Sequence, residues 1–246
     1  MRGPEWLTAR PIAHRGLHDA TRGIVENTPS SIAAAVSAGY ALEVDVQITA
    51  DGEAMVHHDD ALGRLTEGSA RLDTLTANAL RGIAYKATAD RMISLGELCD
   101  LVAGRATVLV EMKSHFDGDP RLPLRVAKVL EDYRGPIAPM SFDPLQIAVI
   151  RRAAPNLLRG LVAERHFRPG HQDRVSWRES MIYLGNVAAA RPQFLAYSVR
   201  DLPSAPALAF RFATGRPLLT WTVRSEDDRN RAARWADQMI FEGFRP

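Results

Sequence analysis

ALEVDVQITADGEAMVHHDD, running from Ala41 to Asp60, opens with a strict alternation. Leu42, Val44 and Val46 share one face of a β-strand, and Glu43, Asp45 and Gln47 share the other. A strand inside a parallel sheet is apolar on both faces, so two carboxylates on one face carry a desolvation cost that calls for a reason. Thr49 to Gly52 reads as a turn, and a second short strand, Ala54 to His57, leads into His57-His58-Asp59-Asp60. Paired carboxylates with histidines close behind fit a metal site beside an acid/base group. An edge strand with a solvated face and a loop histidine fits this segment equally well.

Working outward, Pro11 to His14 is a short apolar strand ending at Arg15-Gly16. Asn27 or Thr28 caps a helix, Pro29 suits its first turn, and Gly39 stops it. Strand, helix and strand are complete by Val46, which makes a parallel βα unit. From Gln47 to about Gly104 the rhythm breaks, with short helical pieces near Leu75–Leu80 and Leu95–Ala103, so this span is expected to be an insertion.

The alternation of elements then resumes. Strands are expected at Thr107–Lys113, Ile137–Phe142, Leu158–Ala163, Phe194–Val199, Leu218–Val223 and Met239–Phe241. Helices are expected at Leu122–Tyr133, Pro144–Ala154 and Pro206–Ala213, with a capping box from Ser225 and Asp228 opening one more. The stretch Glu164 to Gln193 is irregular, with a helix at Trp177–Ile182. About eight strands alternating with helices predict an α/β fold, a (β/α)8 TIM barrel with a small insertion after the second strand. The chain, 1–246, is expected to be one domain, with the inserted segment at about 47–104. Polar residues recur at the strand ends: His14-Arg15, Glu43/Asp45, Glu111/Lys113, Ser141, Glu164 and Trp221. Such barrels place their active sites at that end, and a merely solvated face would not recur there on several strands.

Composition narrows the classes. The 246 residues are 46% hydrophobic, enough for one large core, and no apolar run reaches the roughly 18 residues that span a bilayer. One cysteine, Cys99, excludes an internal disulfide and a cysteine-rich metal cluster. MRGPEWLTARP leads almost directly into the first strand without an apolar leader, so a cytoplasmic location is expected. Basic residues are dispersed and the net charge is +2, which argues against a nucleic-acid-binding stripe.

Glu43, Asp45 and Glu111 offer hard oxygen ligands suited to Mg2+ or Ca2+. Arg15 and Lys113 are natural partners for a phosphate, Arg as a fork and Lys as a point charge. Three carboxylates and a divalent cation leave −1, so an anionic substrate would be repelled without those two bases. His14 and His58 could flank the metal and serve as the paired proton-transfer groups of phosphodiester cleavage. A core histidine at position 14, and a buried Glu111–Lys113 ion pair, are the plainer alternatives.

The segments His14-Arg15-Gly16, Glu26-Asn27-Thr28-Pro29, Glu43-Val44-Asp45-Val46, Thr49-Ala50-Asp51-Gly52, Val56-His57-His58-Asp59-Asp60, Glu111-Met112-Lys113 and Trp221-Thr222-Val223 resemble, in order, the glycerophosphodiester phosphodiesterase family. The resemblance implies a TIM-barrel phosphoric diester hydrolase with one divalent cation, Mg2+ or Ca2+, on Glu43, Asp45 and Glu111. It implies catalytic histidines at His14 and His58, the latter preferred over His57 because Asp59 follows it directly. Arg15 and Lys113 would hold the phosphate. Trp221 would pack beside the substrate, unless it is ordinary barrel core. The implied reaction turns small-molecule glycerophosphodiesters into sn-glycerol 3-phosphate and an alcohol, with no nucleic acid and no stable membrane insertion. The family usually closes on a strand ending in Thr-Asp and a proline, whereas this chain ends Met239-Ile-Phe-Glu-Gly-Phe-Arg-Pro246.

Three rivals stand beside that reading. A lysophospholipase D, or a phospholipase forming cyclic phosphates, would want an apolar rim, for which Phe167, Trp177 and Phe241–Phe244 are the candidates. A non-catalytic phosphate-binding barrel would not need two histidines. A metal-dependent aldolase or isomerase would not need Arg15 and Lys113 converging on one anion.

Overall fold

The computed structural model describes residues 3–165 and 185–246. The expected helix at Trp177–Ile182, together with His166, Phe167 and His171, lies outside them.

Eight parallel strands close on themselves. In barrel order they are β1 (Ile12–Ala13), β2 (Ala41–Ile48), β4 (Val108–Met112), β5 (Ile137–Ser141), β6 (Gly160–Ala163), β7 (Phe194–Ser198), β8 (Leu218–Val223) and β9 (Gln238–Phe241), with β9 pairing back onto β1. A ninth strand, β3 (Ala54–Val56), runs antiparallel to β2 outside the closed ring. The chain is thus a (β/α)8 barrel.

The alternation of β2 is realised on two buried faces. Leu42, Val44 and Val46 pack outward into the layer between barrel and helices, while Glu43 and Asp45 are fully buried on the opposite face. Inside the barrel, Ile12, Leu109, Met140, Phe194 and Leu219 form a separate interior cluster. Gly160 is required there. A Cβ on it would sit 2.2 Å from the Phe194 ring, so the bare backbone of β6 is what lets that ring fill the barrel.

Local chemistry sets the helix starts. In α1 (Pro29–Ser37), Thr28 and Ser31 form a reciprocal cap and Pro29 occupies the first turn. After α2 (Ala77–Arg81), Ser94 and Glu97 cap α3 (Leu95–Val102) in the same way. The barrel continues with α4 (Arg121–Leu130), α5 (Pro144–Ala153), a helical stretch at 185–190, α6 (Ala205–Thr214) and α7 (Glu226–Trp235). The expected full capping box on α7 is only half formed. Ser225 accepts from the Asp228 amide, but the Asp228 carboxylate takes the Arg224 amide instead of that of Ser225. Asp is one methylene shorter than the Glu of a complete box. Helix α4 also stops before Tyr133, whose hydroxyl accepts from the Gly104 amide.

Within the span 47–104, Met55, Leu62, Leu72, Leu80, Tyr85 and Met92 build a satellite core with Val25. Leu95 and Leu98 belong instead to the main core, so α3 is the crossover helix returning the chain to β4. Among the described residues, no helix is long and apolar enough to cross a membrane.

Candidate active site

At the C-terminal mouth of the barrel, His14, Arg15, Glu43, His58, Glu111, Lys113, Phe142, Trp221 and Arg224 line one cavity of about 180 Å3. Asp45 lies directly beneath, bonded to Lys113.

The acidic cluster follows from strand register. Asp45 on β2 is paired directly with Glu111 on β4, and Glu43 lies two residues back on the same face as Asp45. Ligand oxygens of Glu43, Asp45 and Glu111 all lie within 4.8 Å of one another. Glu43 Oε2 accepts from the Arg15 amide at 3.0 Å, while Oε1 is buried without a partner. An orphaned anionic oxygen beside two more carboxylates is a set of hard donors that fits a divalent cation. Burial, then the Asp45 and Glu111 charges, push the Glu43 carboxyl well above its ordinary pKa. For Asp45, burial pushes upward too, but Lys113, His58 and Arg15 outweigh it and hold the carboxyl low.

Lys113 lies within the cluster, with Nζ 2.7 Å from Asp45 Oδ1 and 2.5 Å from Glu111 Oε1. Burial alone would lower its pKa, yet the two carboxylates raise it, so it stays charged. Arg15 has φ +55, a left-handed conformation unfavourable for a side chain with a Cβ. The following Gly16, at φ +77, admits no Cβ because Ser31 backbone and side-chain atoms lie within 2.9 Å of its position. This tight turn aims the Arg15 amide at Glu43 and the guanidinium at Glu26 (2.7 Å) and Asp45 (3.3 Å).

The two histidines are held alike. His14 Nδ1 lies 2.5 Å from Glu242 Oε2, and His58 Nδ1 lies 2.8 Å from Asp59 Oδ1. His14 Nε2 faces Glu43 at 3.9 Å. Asp59 is in turn gripped by Arg64, which also reaches Glu26, linking His58 to Arg15 through a chain of ion pairs. His57 is buried and its backbone amide donates to the Asp45 carbonyl, and it does not line the cavity.

Trp221 is partly exposed in the cavity wall. Its indole N–H donates to the Ala196 carbonyl at 3.1 Å and its ring meets Phe142 edge-on at 5.5 Å, so the ring is fixed. Ser141 is buried, donating to the Met112 carbonyl and accepting from the Asp143 amide, so it ties strands together and has no place in the cavity. Of the Phe241–Phe244 tail, a candidate apolar rim, Phe241 is core instead and Phe244 is half-buried against it. Phe241 is 1% exposed, with its ring 5.0 Å from Tyr40 and 5.6 Å from Phe244, because β9 presents it to the helical layer. Glu242, Arg224 and Arg64 were not expected among the site residues. Glu242 stands at the altered C-terminal tip, but nothing local in the sequence marks its pairing with His14.

The sequence profile of the glycerophosphoryl diester phosphodiesterase family matches residues 14–244. The chain belongs to that family. It is 27% identical over 161 residues to the glycerophosphodiester phosphodiesterase of Caldanaerobacter subterraneus, across 61% of this chain and 65% of the relative's length. Glycerophosphodiester phosphodiesterase 1 of Rattus norvegicus is 25% identical, across 89% of this chain and 73% of its own. An Oleispira antarctica phosphodiesterase, solved with its product sn-glycerol-3-phosphate, has the same fold, with a TM-score of 0.76 and 18% identity over 98% of this chain and 95% of that one. The named members of the family are phosphoric diester hydrolases.

Proposed function

We propose that this chain hydrolyses glycerophosphodiesters to sn-glycerol 3-phosphate and an alcohol, with a divalent cation on Glu43, Asp45 and Glu111 and proton transfer by His14 and His58. The observation that carries this reading is the convergence of two carboxylate-anchored histidines and the acidic cluster on one small cavity. The three oxygen donors suit Mg2+ or Ca2+. When bound, the cation would supply charge stabilisation to the phosphoryl oxygens.

The chain's own residues do the rest. Arg15 and Lys113 bring positive charge to the place where the phosphate's charge must sit. With Nδ1 of each histidine against a carboxylate, Nε2 is the atom left to face the diester. One histidine accepts the proton of the attacking oxygen there, and the other returns a proton to the departing alcohol. Trp221 and Phe142 offer a rigid apolar wall for the carbon skeleton.

Among the described residues, the exposed large apolar side chains are Leu124, Leu145 and Phe212, and none lines the cavity. A cytoplasmic location is part of the same reading, supported by a single buried cysteine.

The test is release of sn-glycerol 3-phosphate from glycerophosphocholine, assayed before and after EDTA and after restoring Mg2+ or Ca2+. Metal-restored release is the expected result. Full turnover in EDTA would overturn the metal assignment, and no release with either cation from any glycerophosphodiester head group would overturn the activity.

A further inference from the structure

We propose that Glu242, clamped by Arg224, is the positioning residue for His14, so that the last turn of the chain completes the proton-transfer machinery. The inference rests on the assignment of His14 above.

The geometry is built by three adjacent strand ends. The His14 amide donates to the Phe241 carbonyl at 3.0 Å, and the Glu242 amide donates to the Val223 carbonyl at 3.0 Å. These ladder bonds carry His14, Glu242 and Arg224 past the tips of β1, β9 and β8, in a row across the barrel mouth. Glu242 Oε2 then accepts from His14 Nδ1 at 2.5 Å and from an Arg224 terminal nitrogen at 2.9 Å, while Oε1 accepts from Arg224 Nε at 3.2 Å. Both carboxylate oxygens are therefore held, which keeps the carboxylate against the ring.

A carboxylate only accepts, so the neutral imidazole carries its proton on Nδ1 and leaves the lone pair of Nε2 toward the cavity. The same arrangement serves His58, where Asp59 meets Nδ1 and Arg64 grips Asp59. The difference is in origin. Asp59 is the next residue to its histidine, whereas Glu242 lies 228 residues from His14. Burial pushes the Glu242 carboxyl up, but the His14 and Arg224 hydrogen bonds overcome this and hold its pKa at about 2, consistent with a partner ionised at neutral pH.

Glu242→Gln, Glu242→Ala and Arg224→Met separate positioning from mere structure. Turnover of glycerophosphocholine should fall about 10–100-fold in kcat for Glu242→Gln and further for Glu242→Ala, with KM little changed. Arg224→Met should fall less, and combined with Glu242→Ala it should cost no more than Glu242→Ala alone. Imidazole 15N NMR on the intact protein supplies a readout that needs no turnover. His14 should be the Nδ1–H tautomer in the wild type and lose that preference in Glu242→Ala, while His58 keeps it. A wild type without turnover but with this tautomer pattern would sink the proposed activity and leave the positioning role standing. Unchanged kcat in Glu242→Ala, a loss confined to KM, or a His14 tautomer indifferent to the substitution would overturn the inference.

Discussion

Asn27 and Asp45 exchange two hydrogen bonds in the floor of the site: the Asn27 amide donates to Asp45 Oδ2 at 2.8 Å, and the Asp45 backbone amide donates to Asn27 Oδ1 at 3.1 Å. Asn27 does this from φ +56, a left-handed conformation that Asn tolerates better than most residues. The pair fixes the Asp45 carboxylate from outside the acidic cluster and locks the loop before α1 onto β2.

Asn27→Ala should therefore cost about 2–4 kcal/mol of stability, from two buried hydrogen bonds and a backbone conformation that Ala resists. Asn27→Gly restores the backbone freedom but not the bonds, so it should recover only part of the loss. Metal affinity should drop by roughly tenfold in both variants, as a ligand loses its outer support. Urea unfolding and cation titration check this. Wild-type metal affinity in Asn27→Gly would show that Asp45 needs no such anchor.

Glu43 is raised well above its ordinary value of 4.5 by burial and by Asp45 and Glu111. A carboxyl whose folded-state pKa is raised opposes folding as pH climbs above the unfolded value, because ionisation is easier in the unfolded chain. Without cation at pH 7.5, Glu43→Gln should melt higher than the wild type, by roughly 2–4 °C for each kcal/mol relieved. The same variant should lose the stabilisation that Mg2+ or Ca2+ gives the wild type. Thermal melts with and without cation decide it; a variant that melts lower in EDTA yet still responds to cation would contradict the cluster's assignment.

Asp59 and Glu242 are each held at about 2, against ordinary values of 3.8 and 4.5, by the histidine and arginine that grip them, in opposition to burial. Depressed carboxyl pKa values contribute stability that is present above the ordinary value and lost as pH falls toward 2. Urea midpoints of the wild type should fall across that window. Asp59→Asn combined with Glu242→Gln should start lower and fall less steeply between pH 4.5 and 2.5. Equal slopes would mean that these pairs do not drive acid unfolding.

The barrel was legible because its information is local. Alternation in Ala41–Ile48 and Val108–Met112 separates the side chains facing the barrel interior from those facing the helices, and the Thr28 cap marks a helix start within four residues. The acidic cluster was legible for the same reason, since Glu43, Asp45 and Glu111 stand out as charges on otherwise apolar strands. Less was visible where one residue type admits two partners. Asp228 has the spacing of a capping box but bonds the Arg224 amide. Phe241 and Phe244 are apolar residues in a terminal tail, and only the packing of Phe241 against Tyr40, and of Phe244 against Phe241, shows that the first is core and the second half-buried.

By itself, then, the sequence determined the strand-and-helix alternation, the faces of β2 and β4, and the residue types that a phosphodiester site needs. Those follow from periodicity and from the cost of burying charge on a strand. The tertiary structure alone decided the partners: Glu242 on His14, Arg64 between Asp59 and Glu26, and Asp45 on Lys113 beside the Glu111 that the sequence already offered it. For Glu242 and His14 the physical reason is barrel closure; for Lys113 it is the register of β4 against β2, and for Arg64 the return of its loop to Glu26. Pairing β9 with β1 brings residues from opposite ends of the chain within hydrogen-bonding distance, and no local pattern carries that register.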